Sequence, residues 1–203
     1  MKNLLHIIAT PRGDDSRTLK VSREFLDILK DQWKVETLNL FEAKLPDLTL
    51  KRVTGKYILL SGKELDKETQ DAWGGIVKYI EQFTHADGYL ISTPMWNFSI
   101  PYILKHYIDV IVQPKYMFRY TATGPQGLVT GKKMTVISSR GGDYSSEAVR
   151  HMDLLVPYLR TVFGMVGIED IDFINVEPMD AQGEDVRDRK INEVIEKIKM
   201  RFL

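Results

Sequence analysis

The sequence predicts an α/β protein built on a five-stranded parallel sheet with helices on both faces. Three observations carry this reading. Short continuous apolar runs, such as LLHIIA over residues 4–9, suit strands buried on both faces. Between these runs, hydrophobic residues recur at the spacing of one helix face. No hairpin signal joins two runs, so strands and helices alternate and the crossovers are right-handed.

The elements follow in order. Residues 4–9 form the first strand, stopped by Thr10-Pro11, and Leu19, Val21, Phe25, Ile28, Leu29 and Trp33 mark the first helix. VETLNL is the second strand, followed by a variable excursion around 41–70 with little period in its first part. Leu65, Ala72, Ile76, Tyr79, Ile80 and Phe83 step along a helix that Gly74-Gly75 weakens. GYLIS is the third strand, and Pro101, suited to a first helical turn, opens a helix to Val112. Residues 113–133 read as a long loop, MTVISS as the fourth strand, 147–163 as one helix, IDFINV as the fifth strand and 184–201 as a closing helix. This series fits the flavodoxin-like strand order 2-1-3-4-5, in one domain spanning 1–203. In that order ligands bind beyond the carboxyl ends of the strands, where the strand order reverses. The loops after strands one, three and four are therefore the places to look.

Composition narrows the function classes. A chain of 203 residues, 43% hydrophobic, can bury a substantial core. Lys plus Arg and Asp plus Glu both number 28, so the net charge is zero and no one-signed field draws the protein to nucleic acid or an anionic membrane. The lack of cysteine excludes disulfides, thiolate nucleophiles and cysteine-bound metal. No run reaches membrane-spanning length and the opening residues lack a signal-peptide pattern, which leads to the expectation of a cytoplasmic protein. His6, His85, His106 and His151 show no metal-ligand spacing, and no metal is expected.

After the first strand, Thr10, Ser16 and Thr18 supply hydroxyls and Arg17 a guanidinium at a helix start, where unpaired N–H groups and the macrodipole favour an anion. Ser16 or Asp15 also suits a plain N-cap, and on this loop alone the two readings stand level. Asp14 and Asp15 oppose a phosphate unless they turn to solvent. Neither GxxxxGK[ST] nor GxGxxG occurs here. After the third strand, STPMWNFSIP holds two prolines, which force a shaped loop, while Met95, Trp96, Asn97 and Phe98 offer flat surfaces and a planar amide. The aromatic pair also suits the core. After the fourth strand, Ser139-Arg140-Gly141-Gly142 lets the backbone approach a ligand and present N–H groups, although Gly-Gly also suits an ordinary turn. Flavin mononucleotide (FMN) accounts for all three loops together, its phosphate at the first and its ring between the others.

Pro94-Met95-Trp96-Asn97-Phe98 resembles the PMYNF segment of the FMN-dependent NADH azoreductases, also classed as NADH:quinone oxidoreductases. Phe118-Arg119-Tyr120, the run from Gly124-Pro125-Gln126-Gly127 to Lys133, and Ser139-Arg140-Gly141-Gly142 resemble further motifs of that family, and collinearity is clear over 87–168. The resemblance implies a homodimer with one FMN per subunit, NADH or NADPH as donor, and quinones or azo compounds as acceptors. It implies FMN contacts for Thr10, Ser16, Arg17, Thr18, Met95, Trp96, Asn97, Phe98, Ser139, Arg140, Gly141 and Gly142, and a substrate-pocket position for Tyr120. No protein nucleophile or acid is required, because the hydride chemistry belongs to the coenzyme and the protein contributes orientation and electrostatics. Donor and acceptor are expected to use one slot in turn, giving ping-pong kinetics. Two departures stand out: Pro11-Arg12 and the Asp pair in a loop that is usually serine-rich, and the divergent residues 41–70. The competing readings are an electron-transfer flavodoxin, which such a zero net charge disfavours, and a phosphodiesterase-type hydrolase, for which no metal site or activated nucleophile is found.

Overall fold

A computed structural model describes residues 1–180 and 183–202. In chain order the elements are β1 (Lys2–Ile8), α1 (Arg17–Leu29), β2 (Trp33–Asn39), α2 (Leu50–Leu60), α3 (Lys67–His85), β3 (Gly88–Pro94), α4 (Tyr102–Ile111), β4 (Phe118–Thr121), β5 (Gly124–Gly127), β6 (Lys133–Ser139), α5 (Glu147–Arg150), α6 (Leu155–Met165), β7 (Asp170–Val176) and α7 (Glu184–Phe202). The main sheet has the order β2-β1-β3-β6-β7, all parallel, with registers such as Leu4↔Val35, Leu4↔Gly88 and Gly88↔Lys133. Numbered among the sheet strands alone, this is the expected 2-1-3-4-5.

Two apolar layers hold the sheet. On one face Val21 and Phe25 of α1 and Ile191 and Ile198 of α7 pack with Leu4, Leu90, Ile137 and Val176. On the other, Ile76, Ile80 and Phe83 of α3, Leu104 and Ile108 of α4, and Leu159 and Phe163 of α6 cover Leu5, Ile7, Ile91 and Val136. β3 lies mid-sheet and is buried over Gly88–Thr93, hence its unbroken apolar run, whereas β2 at the edge is mostly exposed.

Three elements differ from the sequence-based expectation. Within the variable excursion, α2 docks on α3 by close approach: a Cβ at Gly55 would lie 2.4 Å from Trp73 Nε1, and that indole donates to Arg52 O at 3.0 Å. With Leu50 and Tyr57 exposed, α2 shows no clean apolar stripe to announce it. The long loop carries the antiparallel hairpin β4–β5, seated where Gly127 meets the 166–167 backbone. The helix expected over 147–163 is split, because Asp153 Oδ1 accepts from Leu155 N and Val156 N at 3.0 and 3.1 Å and restarts it as α6. Pro157 then falls in the first turn of α6, and Pro101 stands at the N-cap of α4 rather than within its first turn.

Candidate functional site

Helix α1 leaves β1 toward one sheet face and α4 follows β3 on the other, so the two connections part at the carboxyl edge and open a crevice. A cavity of about 150 Å³ lies there, lined by Thr10, Arg12, Ser16, Arg17, Pro94, Met95, Trp96, Ser139, Arg140, Gly141, Met179 and Asp180.

The first wall is the start of α1. A 3₁₀ turn over Gly13–Asp15, with Gly13 at φ 49°, delivers Ser16 as the N-cap, whose Oγ accepts from Leu19 N at 3.3 Å. The capping reading therefore holds, and the N–H groups of the first turn still lack helical partners, so the anion reading survives beside it. Asp14 points away and pairs with Arg23 in solvent; neither Asp14 nor Asp15 lines the cavity. Thr18 is buried, and its Oγ1 lies 2.7 Å from Ser139 Oγ, joining this wall to the end of β6. Arg17 Nη1 donates to Met179 O at 3.1 Å and to Asp180 Oδ1 at 2.7 Å.

A buried polar chain fixes this wall against the sheet. Ser22 Oγ donates to Thr18 O at 3.0 Å, and Ser22, Ser92 and His6 are linked through contacts of 2.7 Å. Ser22 has one hydroxyl proton, already given to Thr18 O; Ser92 must therefore donate to Ser22, and His6 Nε2–H to Ser92. Burial lowers the His6 imidazole to about 4, which keeps it neutral in that tautomer near neutrality.

The second wall is a tight turn. Trp96 N donates to Ser99 O at 2.9 Å and Ser99 N to Trp96 O at 3.0 Å, with Asn97 and Phe98 at φ 47° and 68°, the pattern of a type I′ turn. Met95 N bonds Ser139 O at 2.9 Å, and Phe98 O accepts from Leu154 N at 2.9 Å. The turn presents Trp96 and Phe98 half-exposed. Trp96 meets Phe41, which in turn meets Tyr102, while Phe98 meets Tyr144, all edge to face.

The third wall follows β6. Gly141 O accepts from Met179 N and Asp180 N, both at 3.1 Å, so the turn after β7 folds over it. A Cβ at Gly141 would lie 2.7 Å from Asp180 Oδ2, so the carboxylate rests directly over the glycine. The Arg140 side chain is buried: Nη1 bonds Asp153 at 2.8 Å and lies 3.6 Å from Glu177, Nε donates to Ser138 Oγ at 3.1 Å, and Nη2 has no partner among the described residues. Burial pushes the Glu177 carboxyl up, against the pull of the Tyr144 N–H and the Arg140 guanidinium. The guanidinium thus braces the turn from behind.

Of the positions singled out from the sequence, Thr10, Ser16, Arg17, Met95, Trp96, Ser139, Arg140 and Gly141 line one cavity. Thr18 supports it through Ser139, while Asn97, Phe98 and Gly142 flank it outside that lining. Tyr120 stands apart on β4, two-thirds exposed and packed edge to face on Phe118. Arg12, Met179 and Asp180 were not anticipated. Asp180 lies in the charged run that leads into the closing helix, which begins at Glu184 as expected. The signal that finds it is position, one turn beyond a parallel strand's carboxyl end.

The donors along the cavity, a helix start, two guanidiniums and hydroxyls, suit a phosphate, and the aromatic turn beside them suits a planar ring. Among the described residues no group of histidine, aspartate and glutamate is arranged to hold a metal ion.

Comparison with known proteins agrees with this fold. Residues 2–202 match a family described by its flavodoxin-like fold. A protein of Desulfotalea psychrophila named FMN-dependent NADH:quinone oxidoreductase is 39% identical over 182 residues, covering 88% of this chain and 86% of its own. A Clostridium perfringens relative named FMN-dependent NADH:quinone oxidoreductase 2 is 38% identical over 201 residues, covering 97% and 96%. The crystal structure of an FMN-dependent NADH-azoreductase from Bacillus anthracis in complex with FMN superposes with a TM-score of 0.84 at 29% identity, covering both chains completely. The chain belongs to this flavodoxin-like family, among the FMN-dependent NADH:quinone oxidoreductases.

Proposed function

We propose that this chain binds FMN in the crevice and uses it to pass electrons from NADH to quinones and aromatic azo compounds, the two substrates occupying one slot in turn. The observation that carries the reading is the meeting of the α1 start, the type I′ turn and the Gly141 turn at one cavity. The fit is supported by the donor set that lines the cavity.

In this reading Ser16, Arg17 and the first-turn N–H groups of α1 hold the phosphate, with Thr10 beside them, and Thr18 positions Ser139. Met95, Trp96, Asn97 and Phe98 line the ring, and the N–H groups at Gly141 and Gly142 favour negative charge at its edge. When bound, FMN supplies the hydride-accepting and electron-donating chemistry. The chain orients substrates: Trp96, Phe98, Phe41 and Tyr144 form an aromatic rim suited to flat acceptors. Arg140 acts through the backbone, holding the 139–142 turn by its pairs with Asp153 and Glu177.

We also propose a homodimer. Leu50, Tyr57, Tyr102 and Tyr120 are all at least half exposed, more apolar surface than a lone subunit needs to show. Tyr120 does not line this chain's cavity, and in this reading it reaches the substrate pocket of a second copy.

Initial rates measured across matrices of NADH with a quinone, and of NADH with an azo dye, test the shared slot. Parallel double-reciprocal lines are expected; intersecting lines require both substrates bound together and contradict it. If the FMN-loaded protein bleaches anaerobically only when a separate reductase is added, it is an electron carrier instead.

A further inference from the structure

Asp180 brings a carboxylate into the same cavity in which the donor set calls for a phosphate. It follows β7 by a short turn, its N–H donating to Gly141 O at 3.1 Å. Its Oδ1 lies 2.7 Å from Arg17 Nη1, and its Oδ2 lies over Gly141, 2.7 Å from where a Cβ would stand. Resting on the coenzyme reading above, we propose that Asp180 is an internal stand-in for the coenzyme's phosphate. Its carboxylate occupies Arg17 in the coenzyme-free protein and gives way when the phosphate arrives, so it sets both the affinity for FMN and the preference for phosphorylated over unphosphorylated flavin.

Four features support displacement over permanent support. The Asp180 side chain is 71% exposed, so nothing packed around it resists a swing into solvent. Arg17 Nη1 also donates to Met179 O at 3.1 Å, which keeps the guanidinium oriented after the carboxylate leaves. A carboxylate and a phosphate offer the same kind of oxygen acceptors to a guanidinium, and a dianion makes the stronger charge-assisted bonds. Arg12, which lines the cavity, has no side-chain partner among the described residues and is free to join Arg17 on a dianion. A carboxylate left in place would repel that dianion at hydrogen-bonding range.

The test compares wild type with Asp180→Asn as coenzyme-free protein, titrated with FMN and separately with riboflavin, following flavin fluorescence. An exposed charge contributes up to about 1 kcal/mol, so Asp180→Asn is expected to bind FMN about threefold to fivefold more tightly, with riboflavin affinity unchanged. In an Arg17→Gln background the same change should bring a smaller gain, because the contested guanidinium is gone. Equal or weaker FMN binding by Asp180→Asn overturns this inference alone, as does an equal gain for riboflavin. Wild-type protein that takes up neither flavin overturns the coenzyme reading and this inference with it.

Discussion

Phe98 holds φ 68°, a backbone region that costs a residue bearing a Cβ about 1–2 kcal/mol, and it does so half-exposed, where burial returns little. The cost is met by the reciprocal bonds of the turn and by Leu154 N on Phe98 O, and what it yields is an aromatic face beside the crevice. Phe98→Gly should therefore be about 1 kcal/mol more stable in denaturant titrations than Phe98→Ala, which lacks the same ring but keeps the Cβ, while both raise the KM for quinones; an alanine variant at least as stable as the glycine one would show that the strain is not real. His6 gives a second prediction. Its folded-state value of about 4 lies below that of an unfolded histidine, so its contribution is present above about pH 6.5 and is lost as pH falls toward 4. Between pH 7 and 5 the loss should be about 2 kcal/mol, and His6→Gln should not show it. Glu177, raised by burial, runs oppositely, its contribution fading as pH rises, so the difference between the two proteins isolates His6. The residue types at the walls were readable because Trp96, Asn97, Gly141 and the hydroxyls announce themselves. Asp180 and Arg12 were not, since a charged side chain in a loop carries no sign of where it points.

Elements were legible in proportion to how much their own residues decide them. The parallel strands are unbroken apolar runs because both faces are covered, and α1 and α3 carry full apolar stripes. The excursion helix α2, the β4–β5 hairpin and the break between α5 and α6 are decided instead by distant partners: Trp73 under Gly55, the 166–167 backbone under Gly127, and Asp153, which pairs with Arg140. A Cβ at Gly127 would lie 2.3 Å from Gly167 N and from Val166 C, backbone atoms that cannot turn aside. Gly127→Ala should thus cost about 1–3 kcal/mol in equilibrium unfolding. An unchanged midpoint would mean that the hairpin is not seated there. Gly124, at the hairpin turn with nothing within 4 Å of an added Cβ, serves as the comparison for backbone strain alone.

At the scale of the whole molecule, alternation implies the parallel sheet and fits order 2-1-3-4-5, which places three loops at one edge before any side chain is considered. What alternation does not specify is assembly. The exposed aromatic and aliphatic residues of α2, α4 and the hairpin predict a dimer in sedimentation equilibrium, and Tyr57→Glu with Tyr120→Glu should shift it toward monomer with lower quinone turnover. A monomeric wild type of full activity would exclude that arrangement. The account as a whole rests on the three loops closing on one ligand, and a crystal structure of the FMN complex tests this most directly. It should show the phosphate against Ser16 and Arg17 at the start of α1 and the ring between the Trp96–Ser99 turn and Gly141; a phosphate bound elsewhere, or a ring away from that turn, would contradict it.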